Sequence, residues 1–263
     1  MRIFSGLSML GVHVLVCGMV SFGLASDLAA RPQLSPNQAV FVRKSAEPFG
    51  VFAFRLSGDG LRDKWLSVQR KLDDERVQLA LCDGDRERCA SPAALRFLAI
   101  VDNAKARVGR ARLGEINRAI NLAIHPMSDL PQYGEIDVWS SPLLTFTTGS
   151  GDCEDYAIAK FVALRLAGIA PDDLRIVIMH DTIHGGDHAV AAARLDGHWF
   201  TLDNRRMAMT EDAHIRNYLP LYVIDQFGVS RYADTALLAF APDWQPLPAL
   251  KLAAEPGSIS STN

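Results

Sequence analysis

The dipeptide Asp196-Gly197 stands between two short β-type runs, residues 188–195 and 198–202. Asp-Gly in that setting predicts a two-residue hairpin turn, because both central residues must take positive φ and this pair does so at little cost. Such a turn fixes register as well as topology. Leu195 then faces His198, and pairing runs outward until Val190 lies opposite Asp203. His188 is two residues from Val190 and shares its face of the sheet. His188 and Asp203 therefore become diagonal neighbours across the hairpin, close enough for polar side chains to meet. A one-residue bulge would undo that register.

Helical patterns dominate upstream of the hairpin. The first runs from near Asp63 to about Leu81, with Trp65, Val68, Leu72 and Leu79 as core candidates. Ser91-Pro92 opens a second, with Leu95, Phe97, Leu98 and Val101 inward. A third spans roughly 113–124 and stops at Pro126. Residues 127–151 read as a long loop carrying Trp139 and Pro142, a reasonable cleft wall. The run Gly149-Ser-Gly-Asp-Cys-Glu-Asp-Tyr156 then opens a helix that continues through Leu164 and stops at Gly168. Residues 174–179 form a strand, 180–187 a polar loop, and another strand or loop covers about 218–223. A helix-rich first half and a strand-rich second half predict an α+β fold.

The ends of the chain read differently. Arg2 precedes an apolar stretch, residues 3–24, and small residues follow. This predicts a signal peptide over 1–26, cleaved between residues 25 and 30, and hence export to the periplasm. The alternative is a retained anchor, since the stretch is about long enough to span a bilayer. Residues 27–60 read as an irregular N-terminal segment, 61–245 as the folded domain and 246–263 as a flexible tail. A net charge of −3 gives no basic footprint, so no nucleic acid is expected as a partner. Cys82 and Cys89 flank a short polar loop and either close a local disulfide in an oxidising compartment or remain thiols. If they pair, Cys153 is the odd thiol of the mature chain.

Cys153 sits at a helix start after a glycine-rich entry. Free backbone amides and the helix dipole stabilise a thiolate there and can donate to an oxyanion. A lone Cys at such a place is more often a packed small residue. With His188 as base and Asp203 holding its tautomer, the three have the makings of a nucleophilic triad.

These residues resemble a known family. Gly151-Asp152-Cys153-Glu154-Asp155-Tyr156-Ala157-Ile158-Ala159-Lys160, followed by Asp187-His188-Ala189-Val190 and Leu202-Asp203-Asn204, is similar to the bacterial transglutaminase-like cysteine peptidases. Trp139-x-x-Pro142 fits as well, and the resemblance covers roughly residues 60–230. It implies a papain-like core with the nucleophile helix packed on an antiparallel sheet. It also implies Cys153 as nucleophile, His188 as general base and acid, and Asp203 as orienting residue. In the family, acids beside the nucleophile bind calcium. The matching positions are Asp152 and Glu154, with Asp155 adjacent, and carboxylates suit that ion. The same three acids could instead cap the helix and complement its dipole. No organic cofactor is implied. The LapG branch of the family consists of periplasmic proteases that cut large biofilm adhesins and are held by an inner-membrane cyclic-di-GMP receptor. Neither the Asn204-Arg-Arg-Met run nor Tyr218-Leu-Pro-Leu-Tyr222 identifies that branch. The loop from His180 to Asp187 is rich in His and Asp and reads as a solvated loop or as a second metal site.

The expected function is an exported cysteine endopeptidase acting on a surface or periplasmic protein. Acyl transfer to an amine, as in a transglutaminase, uses the same triad. A non-catalytic binding module that keeps the fold is the third alternative.

Overall fold

The computed structural model describes residues 45–58 and 60–233. The expected signal peptide, with Cys17, and the expected tail lie outside the described residues. A strand β1 (Ala53–Arg55) precedes three long helices, α1 (Gly60–Gly84), α2 (Pro92–Lys105) and α3 (Gly109–Ala123). Short elements follow: β2 (His125–Pro126), α4 (Asp129–Tyr133), α5 (Pro142–Thr148) and β3 (Ser150–Gly151). Helix α6 (Cys153–Leu166) leads into β4 (Leu174–Asp181), β5 (Asp187–Leu195), β6 (His198–Leu202), β7 (Thr210–Glu211), β8 (Tyr218–Asp225) and β9 (Gly228–Tyr232).

The sheet is seven-stranded and antiparallel, in the order β1-β9-β8-β4-β5-β6-β7. Its central strands are buried on both faces, and the period-two alternation shows which residues go where. Ile176, Ile178, Ala189, Ala191 and Ala193 join the helical core. Val177, Met179, Val190, Ala192 and Trp199 form a second cluster on the other face. Helix α6 is buried from Asp155 to Leu164 and packs on β4 and β5, with α2, α3 and α5 around it. The small residues Ala157, Ala159, Ala163, Ala189, Ala191 and Ala193 are buried in that core, so helix and sheet can approach closely. The result is the expected α+β fold, with its helix on an antiparallel sheet.

The Asp196-Gly197 hairpin forms with Leu195 opposite His198 and Ala191 opposite Leu202. Asp196 (φ 52°) and Gly197 (φ 82°) both take positive φ, as the turn demands. Trp65, Val68, Leu72, Leu79, Phe97, Leu98 and Val101 are buried as predicted, whereas Leu95 is half-buried.

Three expectations need correcting. Residues 127–151 are not one long loop. Ser141-Pro142 starts α5 just as Ser91-Pro92 starts α2, and Gly149 ends it at φ 72°. The expected irregular N-terminal segment contains β1, an edge strand paired with β9. The polar loop over 180–187 shrinks to five residues, because β4 runs on to Asp181 and β5 begins at Asp187.

Candidate active site

Asp203 follows the last residue of β6 and closes a turn. Its Oδ1 accepts the backbone N–H of Arg205 at 2.9 Å, the local bonding for which Asp is favoured in turns. The same oxygen meets His188 Nε2 at 2.8 Å, and both side chains are nearly fully buried. Burial acts to raise the Asp203 carboxyl, but the hydrogen bond and charge of His188 hold it below its ordinary value. The Tyr218 ring lies against the imidazole, with centroids 5.7 Å apart. Asp203 accepts at Nε2, so the acceptor nitrogen of neutral His188 is Nδ1. That atom is buried and has no hydrogen-bond partner among the described residues.

Cys153 is the first residue of α6, with Asp152 at its N-cap. Cys153, Glu154, His188 and Ala189 line one cleft of about 330 Å³, together with Trp139 and Tyr222. The sulfur donates to Glu154 Oε2 at 3.1 Å. Burial pushes the Cys153 thiol well up, and the Glu154 charge adds to this, while the Ala189 N–H that donates to sulfur works the other way. Burial of the sulfur, with the Glu154 charge beside it, thus opposes the stabilisation of a thiolate that the helix start offers.

The three acids expected at calcium separate into two groups. Asp152 and Glu154 come together, and the third carboxylate beside them is Asp129, not Asp155. One oxygen from each of these three lies within 4.8 Å of the others. Asp155 points inward instead. Its Oδ1 accepts the Ser140 N–H at 2.7 Å, and burial pushes its carboxyl up to about 7. Asp152 makes no side-chain capping bond, so helix capping does not explain it. Burial and the charge of Glu154 push the Asp152 carboxyl up to about 9. Asp129 Oδ2 accepts the Val138 N–H at 2.5 Å, while Asp129 Oδ1 and Asp152 Oδ1 are buried without partners among the described residues. Orphaned carboxylate oxygens facing one another are the condition that a hard divalent cation relieves, so the donor set fits calcium.

Asp129 escaped sequence reasoning because the parallel pairing of β2 with β3 brings it there. His125 pairs with Ser150 and Pro126 with Gly151, so the chain just past β2 runs beside residue 152. Its only sequence signal was an acid after Ser128, at the start of α4. The His- and Asp-rich loop forms no metal cluster among the described residues. His180 pairs with Asp187, and Asp181 holds His184, Arg205 and the backbone of Ile183. Cys82 and Cys89 are joined in a disulfide, and Cys153 is the free thiol among the described residues.

LapG of Legionella pneumophila is 24% identical, covers 56% of this chain and 82% of its own length, and superposes with a TM-score of 0.48. Its calcium-bound structure gives 23% identity, 55% and 82% coverage, and a TM-score of 0.48. A transglutaminase structure is 11% identical over 49% of this chain and 37% of its own, with a TM-score of 0.33. A search of curated proteins finds no match. The sequence model of the bacterial transglutaminase-like cysteine proteinases matches residues 78–218, more than half of the chain. The chain thus belongs to that family, and it is a transglutaminase-like cysteine peptidase.

Proposed function

We propose that this peptidase is an exported endopeptidase that cuts a surface or periplasmic protein through Cys153, His188 and Asp203. The observation that carries the reading is the hydrogen bond from His188 Nε2 to Asp203, which leaves Nδ1 as the acceptor nitrogen of a histidine that lines one cleft with Cys153. The reading is general-base catalysis, in which the thiol gives up its proton as it attacks. As sulfur attacks the scissile carbonyl, His188 Nδ1 takes its proton, and Asp203 stabilises the imidazolium across Nε2. Collapse of the tetrahedral adduct passes that proton to the leaving amine and yields a thioester. Water deprotonated by the same nitrogen then releases the acid and restores the thiol.

Asp129, Asp152 and Glu154 would hold calcium. The ion would supply positive charge beside a sulfur that now faces carboxylates. The family resemblance extends the reading to a large adhesin as substrate and to an inner-membrane cyclic-di-GMP receptor as regulator. The apolar stretch at residues 3–24 supports a periplasmic location. Incubating Cys153→Ala protein with periplasmic and surface extracts tests the core of the reading. The wild type should cleave a protein that the variant binds and leaves whole, with the melting temperature unchanged. Cleavage by the folded variant at the wild-type rate would rule out Cys153 as nucleophile.

A further inference from the structure

Lysine is rarely buried outright, because an ammonium removed from water must be paired or discharged. Lys160 is nevertheless fully buried, at 0% exposure, in the middle of α6. It lies seven residues after Cys153, which places both on one side of the helix two turns apart. Its Nζ donates to the carbonyl of Leu202 at 3.1 Å and stands 5.7 Å from the Tyr156 ring centroid. Leu202 is the residue before Asp203. The carbonyl of Asp203 is held in turn by Asn121 Nδ2 at 3.0 Å, and its carboxylate closes on Arg205 N–H and His188. The chain is thus pinned on both sides of Asp203, and one of the pins is a buried cation on the helix that begins with Cys153.

A neutral amide could satisfy one carbonyl at far lower desolvation cost. Only a cation also acts on the carboxylate beside it. We propose that Lys160 is a positioning residue, whose buried Nζ holds the chain at Asp203 and so keeps that carboxylate aligned on His188 while tying both to the nucleophile helix. The proposal rests on the triad reading above and deepens it. The charged and titratable groups around the pair are Tyr156 on α6, His188 on β5 and Arg205 after β6. Mutual influence supports the link. Burial lowers the Lys160 ammonium to about 7 and Asp203 opposes that shift, while Lys160 is among the groups that hold Asp203 down.

The test uses iodoacetamide as a probe of Cys153 at neutral pH, with the His188 Nε2–H proton resonance as a second readout. Lys160→Met and Asp203→Asn should each slow alkylation by about tenfold or more, the size expected for loss of a hydrogen bond to a charged group. The double variant should be no slower than Asp203→Asn alone, because Lys160 acts through Asp203. The Nε2–H resonance should shift in Lys160→Met. If Asp203→Asn alkylates like the wild type, the triad reading itself falls. If Asp203→Asn is slow while Lys160→Met keeps both the rate and the resonance, only the role of Lys160 falls. Losses that multiply in the double variant also overturn it. Should Lys160→Met fail to fold, the titration of Lys160 followed by carbon NMR in Asp203→Asn still decides. Its midpoint should drop below the wild-type value, and an unchanged midpoint overturns the link.

Discussion

Asp152, Glu154 and Asp155 look alike in sequence, and the helix separates them. Side chains on α6 step around its axis by about 100° per residue, so three acids so close together cannot face one ion equally. Asp155 turns into the core and ties the start of α6 to the chain at Ser140. Gly151 makes room for it. A Cβ at position 151 would lie 2.6 Å from Asp155 Oδ2 and 2.8 Å from its Cβ. Residue 151 is extended and paired in β3, so the glycine is needed for close approach and not for an unusual φ. Gly151→Ala should therefore push Asp155 off Ser140 and destabilise the fold by about 1–3 kcal/mol, the range for overpacking a tight core. Urea denaturation measures it, and an unshifted midpoint would show that the strut is dispensable. The places of Cys153, His188 and Asp203 in the fold were legible because each sits where local rules are strong: a helix start, a strand start and a strand end. The upward push on the thiol was not, since it depends on how deeply sulfur is buried and on how Glu154 is turned.

At the scale of elements, legibility followed turn chemistry. Asp-Gly announced the β5–β6 hairpin and its register, and through them the His188–Asp203 contact. The β8–β9 hairpin has no such dipeptide, although its turn has local bonding of its own. Asp225 Oδ1 accepts the N–H groups of Phe227 and Gly228 at 2.8 and 3.0 Å. Strands of two residues carry no periodicity at all, and β2 and β3 are of that kind. Their pairing decides the composition of the acidic cluster, which is why the sequence pattern points to Asp155 and not to Asp129. Asp129→Asn separates the two versions of the cluster. Calcium binding only to the folded state raises stability by about 2.7 kcal/mol at a hundred times its dissociation constant. Wild-type protein should therefore melt higher in calcium than in chelator, and Asp129→Asn should lose most of that difference. Asp155→Asn should melt lower in both conditions while keeping a calcium-dependent rise. A calcium response lost in Asp155→Asn but kept in Asp129→Asn would restore the sequence-based assignment.

At the scale of the described molecule, one continuous core joins α1 and α2, through Trp65, Val68, Phe97 and Val101, to α6 and the sheet at Phe161, Ile176, Ala191 and Ile224. The layer of α1 and α2 is fastened by a covalent clasp, since the Cys82–Cys89 disulfide links the last turn of α1 to the residues just before α2. Its loop spans only seven positions of sequence separation, so the entropy it removes from the unfolded chain is modest, about 2 kcal/mol. No residue from the linker between α1 and α2 lines the cleft of Cys153 and His188. Reduction should therefore act on stability and leave the site's chemistry alone. Cys89→Ser protein should denature at a lower urea concentration, by an amount matching that loop entropy, and should alkylate Cys153 with iodoacetamide at the wild-type rate. Coincident loss of thiol reactivity would mean that the helical layer positions α6 more tightly than its packing implies. An unchanged midpoint would mean that the clasp contributes nothing, and would remove the stability argument for folding in an oxidising compartment.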